Sequence, residues 1–99
     1  MTAAQLETMM TDGRPLIIVD VRSTSEFAAG HLPGSVNIPL DELPAHLDEL
    51  DASVPVVVVC GSGSRSVRGA KLLLDAGYRD VYNLIGGLAT WNGELEKSG

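Results

Sequence analysis

Cysteine, aromatic residues, positive charge and long apolar runs are all scarce in this sequence, and each shortage excludes something. The one cysteine, Cys60, leaves no internal disulfide to form. Without a Cys-x-x-Cys pair or clustered histidines the chain cannot assemble a tetrahedral zinc site, so neither a metal nor another cofactor is expected. Phe27, Tyr78, Tyr82 and Trp91 are the only aromatic side chains, and the core must therefore be built from Val, Leu, Ile and Ala. A formal charge of −6 argues against a general nucleic-acid binder. No segment approaches the ~20 apolar residues that span a bilayer, and the opening MTAAQLETMMTDG lacks the basic start and apolar stretch of a secretory leader. These exclusions lead us to expect a soluble protein of a reducing, cytoplasmic compartment, with no membrane partner. The chain length of 99 residues suits a single domain, 1–99, with one modest core.

Hydrophobic period and capping signals divide the chain into alternating elements. Thr2 with Gln5 makes a capping box, and Leu6, Met9 and Met10 form a helical stripe that Gly13 ends, which predicts a helix to about Thr11. Leu16 to Val21 is apolar, β-branched and too short for a helix; it reads as a buried strand. Ser23 and Glu26 form a second capping box for a short helix through Phe27 and Ala29, ended by Gly30, and His31 to Gly34 is a turn. Val36 to Ile38 makes a short strand that Pro39 stops. From Asp41 onward we expect a turn, with Pro44 near the start of a helix carrying Leu43, Leu47 and Leu50 on one face. Val54 to Val59 is the clearest strand. Ser66 to Ala76 is a helix facing inward through Val67, Ala70 and Leu74, with Leu73 beside them and Gly77 as its left-handed cap. Val81 to Leu84 is a further strand, and Gly86-Gly87 leads into a last helix around Leu88, Trp91 and Leu95. Strands this apolar have no wet face. The fold class is therefore α/β, a parallel β-sheet of four or five strands flanked by helices on both faces, and ligands are expected at the carboxyl ends of its strands.

Cys60 stands at such an end. It follows the run Pro55 to Val59 and opens the stretch Cys60-Gly-Ser-Gly-Ser-Arg65-Ser66. Gly61 and Gly63 allow a tight loop that turns its N–H groups inward, and a helix starting at Ser66 adds free amides and the positive end of its dipole. Both effects favour thiolate over thiol. This points to a nucleophilic or sulfur-carrying cysteine in a nest that accepts an anion; the competing reading is a buried structural cysteine at a strand end. Each residue added to such a ring lengthens it by up to ~3.5 Å, so the six residues from Cys60 to Arg65 enclose a space better matched to a terminal sulfur than to a tetrahedral phosphate or arsenate ester. Arg65 either pairs with an anionic substrate or bridges to an acid elsewhere. Arg68 and Lys71 follow it, as steering charges or as a solvated helix face. Asp20, Arg22 and Glu26 admit an acid–base role or a structural one. His31 lies in a turn and His46 on an exposed face, so neither is a candidate base, and Trp91 is core or a wall of the site. The Gly-Ser-Gly-Ser run lacks both the third glycine of a dinucleotide loop and a Gly-Lys-Ser/Thr ending, which excludes nucleotide binding.

Taken together these segments resemble a known family. Asp20-Val-Arg22, Glu26-Phe27 and Gly30-His-Leu-Pro-Gly34-Ser-Val-Asn-Ile-Pro39 are similar to the amino-terminal signature of the single-domain rhodaneses, the thiosulfate sulfurtransferases. Gly86-Gly-Leu-Ala-Thr-Trp91 is similar to the carboxyl-terminal one, and Cys60 to Arg65, followed by Ser66, resembles the six-residue active loop between them. Phosphatases and arsenate reductases of the same fold have a loop one residue longer. The resemblance implies a two-step transfer in which the Cys60 thiolate takes the outer sulfur of thiosulfate as a persulfide and a thiol, a protein or cyanide removes it. It implies that Gly61, Ser62, Gly63, Ser64 and Arg65 cradle the sulfur, and that Asp20, Arg22, Glu26 and Ser66 support the site rather than move protons. The alternatives are a module that carries persulfide for, or simply binds, a partner protein, and phosphatase or arsenate reductase chemistry. Relatives commonly begin with a short edge strand, for which only Met1 is available before Thr2, so the strand count stays open between four and five.

Overall fold

The structure is a computed structural model and describes residues 1–97. Strands β1 (Ile17–Asp20), β2 (Val36–Asn37), β3 (Val56–Val59) and β4 (Val81–Asn83) form one parallel sheet in the order β2-β1-β3-β4. Helices α1 (Ala3–Thr11), α2 (Thr24–Ala29) and α3 (Ser64–Asp75) complete the α/β fold. Both expected capping boxes are present: the Thr2 hydroxyl accepts from the Gln5 amide and the Ser23 hydroxyl from the Glu26 amide, with each partner side chain reaching back.

Side chains alternate along β3, and that alternation splits the core. Val56 and Val58 face one way, with Val19, Val21, Leu43, Ala70 and Leu73. Val57 and Val59 face the other, with Leu6, Ile18, Leu32 and Leu84. Residues of α3 cover the first face and Leu6 of α1 the second, so β3 is closed on both sides and paired on both edges. This burial is why its sequence is an unbroken run of valine rather than an alternating one. Among the described residues there is no fifth strand. Met1 nonetheless extends the outer edge of β4, its amino group donating to the Asn83 carbonyl at 2.9 Å while the Ile85 amide donates to the Met1 carbonyl at 2.8 Å.

Three sequence expectations fail, each for a physical reason. The helix across Leu43, Leu47 and Leu50 is only a 3₁₀ turn, Leu43–His46. Asp48, Glu49 and Asp51 would crowd the negative end of a longer helix. The Tyr78 hydroxyl, moreover, is shared between the Leu47 and Leu50 carbonyls. The helix expected after Gly86-Gly87 is likewise a 3₁₀ turn, Gly87–Thr90, followed by extended backbone at Trp91. The chain straightens there so that Glu96 can exchange two backbone hydrogen bonds with His31, at 2.8 and 2.9 Å.

The third failure concerns α3. It begins at Ser64 rather than Ser66, and its buried stripe is Ser66, Gly69, Ala70 and Leu73. Val67 and Leu74, expected inward, are 54% and 50% exposed. Small residues let the helix approach the sheet closely: a Cβ on Gly69 would lie 3.1 Å from Val58 Cγ1 and 3.3 Å from Val21 Cγ1. Hydrophobicity alone overlooks such a face.

The two adjacent leucines of α3 therefore separate cleanly. Leu73→Ala is expected to cost about 2–5 kcal/mol by cavity formation, and Leu74→Ala no more than about 0.5 kcal/mol, as measured by chemical denaturation. Equal losses would place the buried face where the sequence pattern had it.

Candidate active site

Cys60 follows the last residue of β3, and its side chain is turned into the loop that leads to α3. Its Sγ accepts the Gly63 amide at 2.9 Å and the Ser66 amide at 3.4 Å, and lies 3.4 Å from Ser66 Oγ. Gly63, with φ +97°, makes the left-handed turn that starts the helix at Ser64, so the sulfur rests against the open amides of a three-turn helix. Burial pushes the Cys60 thiol up, but the Ser66 hydroxyl and the amides of Ser66, Gly63 and Ser62 outweigh it, and the net direction is down. Of the expected cradle, the Gly63 amide bonds the sulfur directly. Ser66, expected only as support, contributes both its amide and its hydroxyl. The Ser62 and Ser64 hydroxyls meet each other at 3.4 Å.

The first two peptides of the loop are fixed from elsewhere in the chain. The loop carbonyls are held outward by the turn after β4, where the Leu88 amide donates to the Cys60 carbonyl at 2.8 Å and the Ala89 amide to the Gly61 carbonyl at 3.1 Å. That contact requires glycine at 87. A Cβ there would fall 2.5 Å from the Cys60 carbonyl oxygen and 2.6 Å from that of Gly61. The Gly-Gly pair was legible as a motif, but its contact with the loop was not.

Arg65 is bidentate to Glu26, at 2.9 and 3.0 Å, and Glu26 also accepts from the Ser23 amide and hydroxyl. Glu26 is held down to about 2, chiefly by Arg65 and then by the Ser23 amide. The same pairing raises Arg65. Arg65 thus spans α2 and α3, and one side of it borders an open groove of about 940 Å³ lined by Val21, Pro39, Leu40, Arg68 and Leu72 among others.

Asp20 and Arg22 are brought together with each other rather than with the sulfur. Asp20 is fully buried, receives Arg22 Nη2 at 2.8 Å, and also accepts from the Arg22 Nε and backbone amide. The guanidinium goes on to donate to the Gly30 carbonyl at 2.6 Å, fixing the exit of α2. His31 stacks on Phe27 with ring centres 3.7 Å apart and bonds the Phe27 carbonyl, and His46 pairs with Glu49 on the surface. Neither histidine bonds the Cys60 sulfur. Trp91 packs at the edge of the second core cluster. Asn83 was missed at the sequence level: its side chain receives the Ser66 hydroxyl. The available signal was a carboxamide inside a predicted strand, two positions after Val81 on the face that meets α3.

Among the described residues no group of His, Cys, Asp and Glu could hold a metal, and no helix is long and apolar enough to cross a membrane.

The Glu26–Arg65 pair is partly solvated, so its contribution is that of an exposed bridge, under about 1 kcal/mol. Because the folded carboxyl is depressed from 4.5 to about 2, that contribution is complete above the ordinary value and is lost as pH falls through the folded one. Glu26→Gln should be slightly less stable than the parent at neutral pH, and acid denaturation curves should show the deficit closing between those two values. A deficit that persists at the acid end would deny the pairing this role.

The model of the rhodanese-like domain matches residues 2–94. The chain is 36% identical to the thiosulfate sulfurtransferase GlpE of Shewanella oneidensis over 84% of its own length and 82% of that protein's. It is also 36% identical to the putative sulfur carrier protein YrkF of Bacillus subtilis, over 82% of this chain but only 44% of YrkF. The crystal structure of a rhodanese-like domain protein from Staphylococcus aureus superposes with a TM-score of 0.89 at 32% identity, covering 100% of this chain and 97% of that one. A near-complete family match and the shared parallel sheet agree with the loop built around Cys60: the chain belongs to the rhodanese-like family of sulfurtransferases.

Proposed function

We propose that this protein moves sulfane sulfur from thiosulfate, or from a persulfide donor, to a thiol or cyanide acceptor through a persulfide on Cys60. One observation carries the reading: the Cys60 sulfur sits at the amino end of α3, with the Gly63 amide 2.9 Å and the Ser66 amide 3.4 Å away. Such a nest stabilises negative charge on sulfur without a general base.

In the first step the Cys60 thiolate attacks the outer sulfur of thiosulfate. The bond between the two donor sulfurs breaks, its electron pair leaves with sulfite, and the outer sulfur remains on Cys60 as an anionic persulfide. In the second, an acceptor thiolate or cyanide attacks that terminal sulfur and the electron pair of the sulfur–sulfur bond returns to Cys60. The role of Gly61, Ser62, Gly63 and Ser64 is to wrap the adduct with backbone amides. Arg65 acts through its charge and by fastening the loop to α2 rather than as a free anion clamp, since Glu26 already occupies two of its donors. Asp20 and Arg22 brace the fold beneath it. A lone thiol that must stay unoxidised between turnovers suits a reducing, cytoplasmic compartment.

A carrier that loads persulfide for a partner protein is the second reading, favoured by the likeness to a putative sulfur carrier. Phosphatase or arsenate reductase chemistry is disfavoured by the six-residue loop, and robust turnover of a phosphate ester would overturn that preference.

Mass spectrometry after thiosulfate treatment should find one added sulfur atom on the wild-type chain and none on Cys60→Ser; addition to both would end the assignment, and addition to neither would remove thiosulfate as the donor. Slow cyanide-dependent turnover beside fast uptake from a persulfidated donor protein would select the carrier reading. Arg65→Ala should lower kcat/KM for thiosulfate by about tenfold or more, through loss of its positive charge and of the link between the loop and α2, while costing under about 1 kcal/mol of stability. Unchanged sulfite release by that variant would remove Arg65 from the mechanism.

A further inference from the structure

Ser66 is fully buried, and its hydroxyl has one proton and several neighbours. The Gly63 carbonyl lies 3.1 Å away, the Cys60 sulfur 3.4 Å away, and the Asn83 side-chain oxygen is also in bonding contact. One proton cannot serve all three. When Cys60 is a thiol, its S–H donates to Ser66 Oγ and the hydroxyl proton is free to point at Asn83. Once the thiol has lost its proton to solvent, the sulfur has no hydrogen to give, and the Ser66 hydroxyl proton is best placed on the thiolate. Ser66 Oγ is then left as an acceptor in a buried site, where an unfilled acceptor is costly.

Among these neighbours only Asn83 can reverse its role. A carboxamide presents an acceptor at one end and two donors at the other, with nearly the same size. Its backbone is anchored by pairing of β4 with β3 and by the Met1 amino group on its carbonyl. Among the described residues its Nδ2 makes no hydrogen bond, so turning the amide gives up only the Ser66 contact at Oδ1, which the shift of the hydroxyl proton to sulfur has already vacated. We propose that Asn83 is a positioning residue: its carboxamide sets the direction of the Ser66 hydroxyl proton, accepting it while Cys60 is a thiol and donating to Ser66 Oγ while Cys60 is a thiolate. The inference rests on reading Cys60 as the reactive thiol, but it concerns ionisation and not the identity of the cargo.

Other charges face this cluster. Arg65 on α3 is paired with Glu26 of α2, Asp20 at the end of β1 is paired with Arg22, and the Met1 amino group sits on the Asn83 carbonyl. All are retained in the variants that test the idea, so their effects cancel in the comparison.

The test is the pH dependence of Cys60 alkylation by iodoacetamide in wild type, Asn83→Ala, Ser66→Ala and the double variant, with folding checked by thermal melts. Asn83→Ala is expected to move the inflection up by about half to one pH unit, roughly a three- to tenfold loss of thiolate below it. The double variant should titrate like Ser66→Ala alone, because Asn83 acts through that hydroxyl. An unmoved inflection in Asn83→Ala, or a full Asn83 effect surviving in the Ser66→Ala background, would overturn the proposal. Failure of both thiosulfate and a persulfidated donor to load sulfur, beside the expected alkylation shifts, would dispose of the sulfur-transfer reading and leave this one standing.

Discussion

The site depends on which way two carbonyls point. Those of Cys60 and Gly61 are taken up by the amides of Leu88 and Ala89, and because a trans peptide points its N–H opposite its C=O, the Gly61 and Ser62 amides are turned away from that contact. The tether exists because Gly87 has no side chain to strike the loop. A residue remote in sequence therefore fixes how the loop leaves the thiol.

Around this constraint the remaining charged groups divide into two braces. Arg22 and Asp20 form a buried pair that reaches the Gly30 carbonyl and sets where α2 ends. Glu26, on α2, then holds Arg65 at the start of α3. The braces act in series, since a displaced α2 would carry Glu26 away from Arg65. The charge near Cys60 thus depends on a pair that never touches sulfur. Removing one member of the buried pair would strand the other without solvent, which is far more costly than losing the exposed bridge.

How much could be read in advance varies with the kind of signal. Capping boxes at Thr2 and Ser23, the valine run before Cys60 and the glycine-rich loop were legible because each is a local rule written in adjacent residues. The face of α3 was misread because Ser66, Gly69 and Ala70 are inward for their smallness and not for their hydrophobicity. The segments after Pro44 and after Gly87 have helical spacing, yet distant partners, Tyr78 in one case and His31 in the other, take the backbone groups or the path a longer helix would need. Asn83 carried only a weak signal, a polar side chain in an apolar strand, and its meaning appeared when β4 was set beside β3.

The sequence by itself determined the order of elements, the parallel α/β class and the placing of a lone thiol where a strand gives way to a helix, because hydrophobic period, caps and glycines act over a few residues. Tertiary structure alone decided that Arg65 meets Glu26, that Leu88 and Ala89 orient the loop, and that Ser66 lies between Cys60 and Asn83. Those contacts join groups far apart along the chain, and only packing of the sheet and its helices brings such groups within hydrogen-bonding distance.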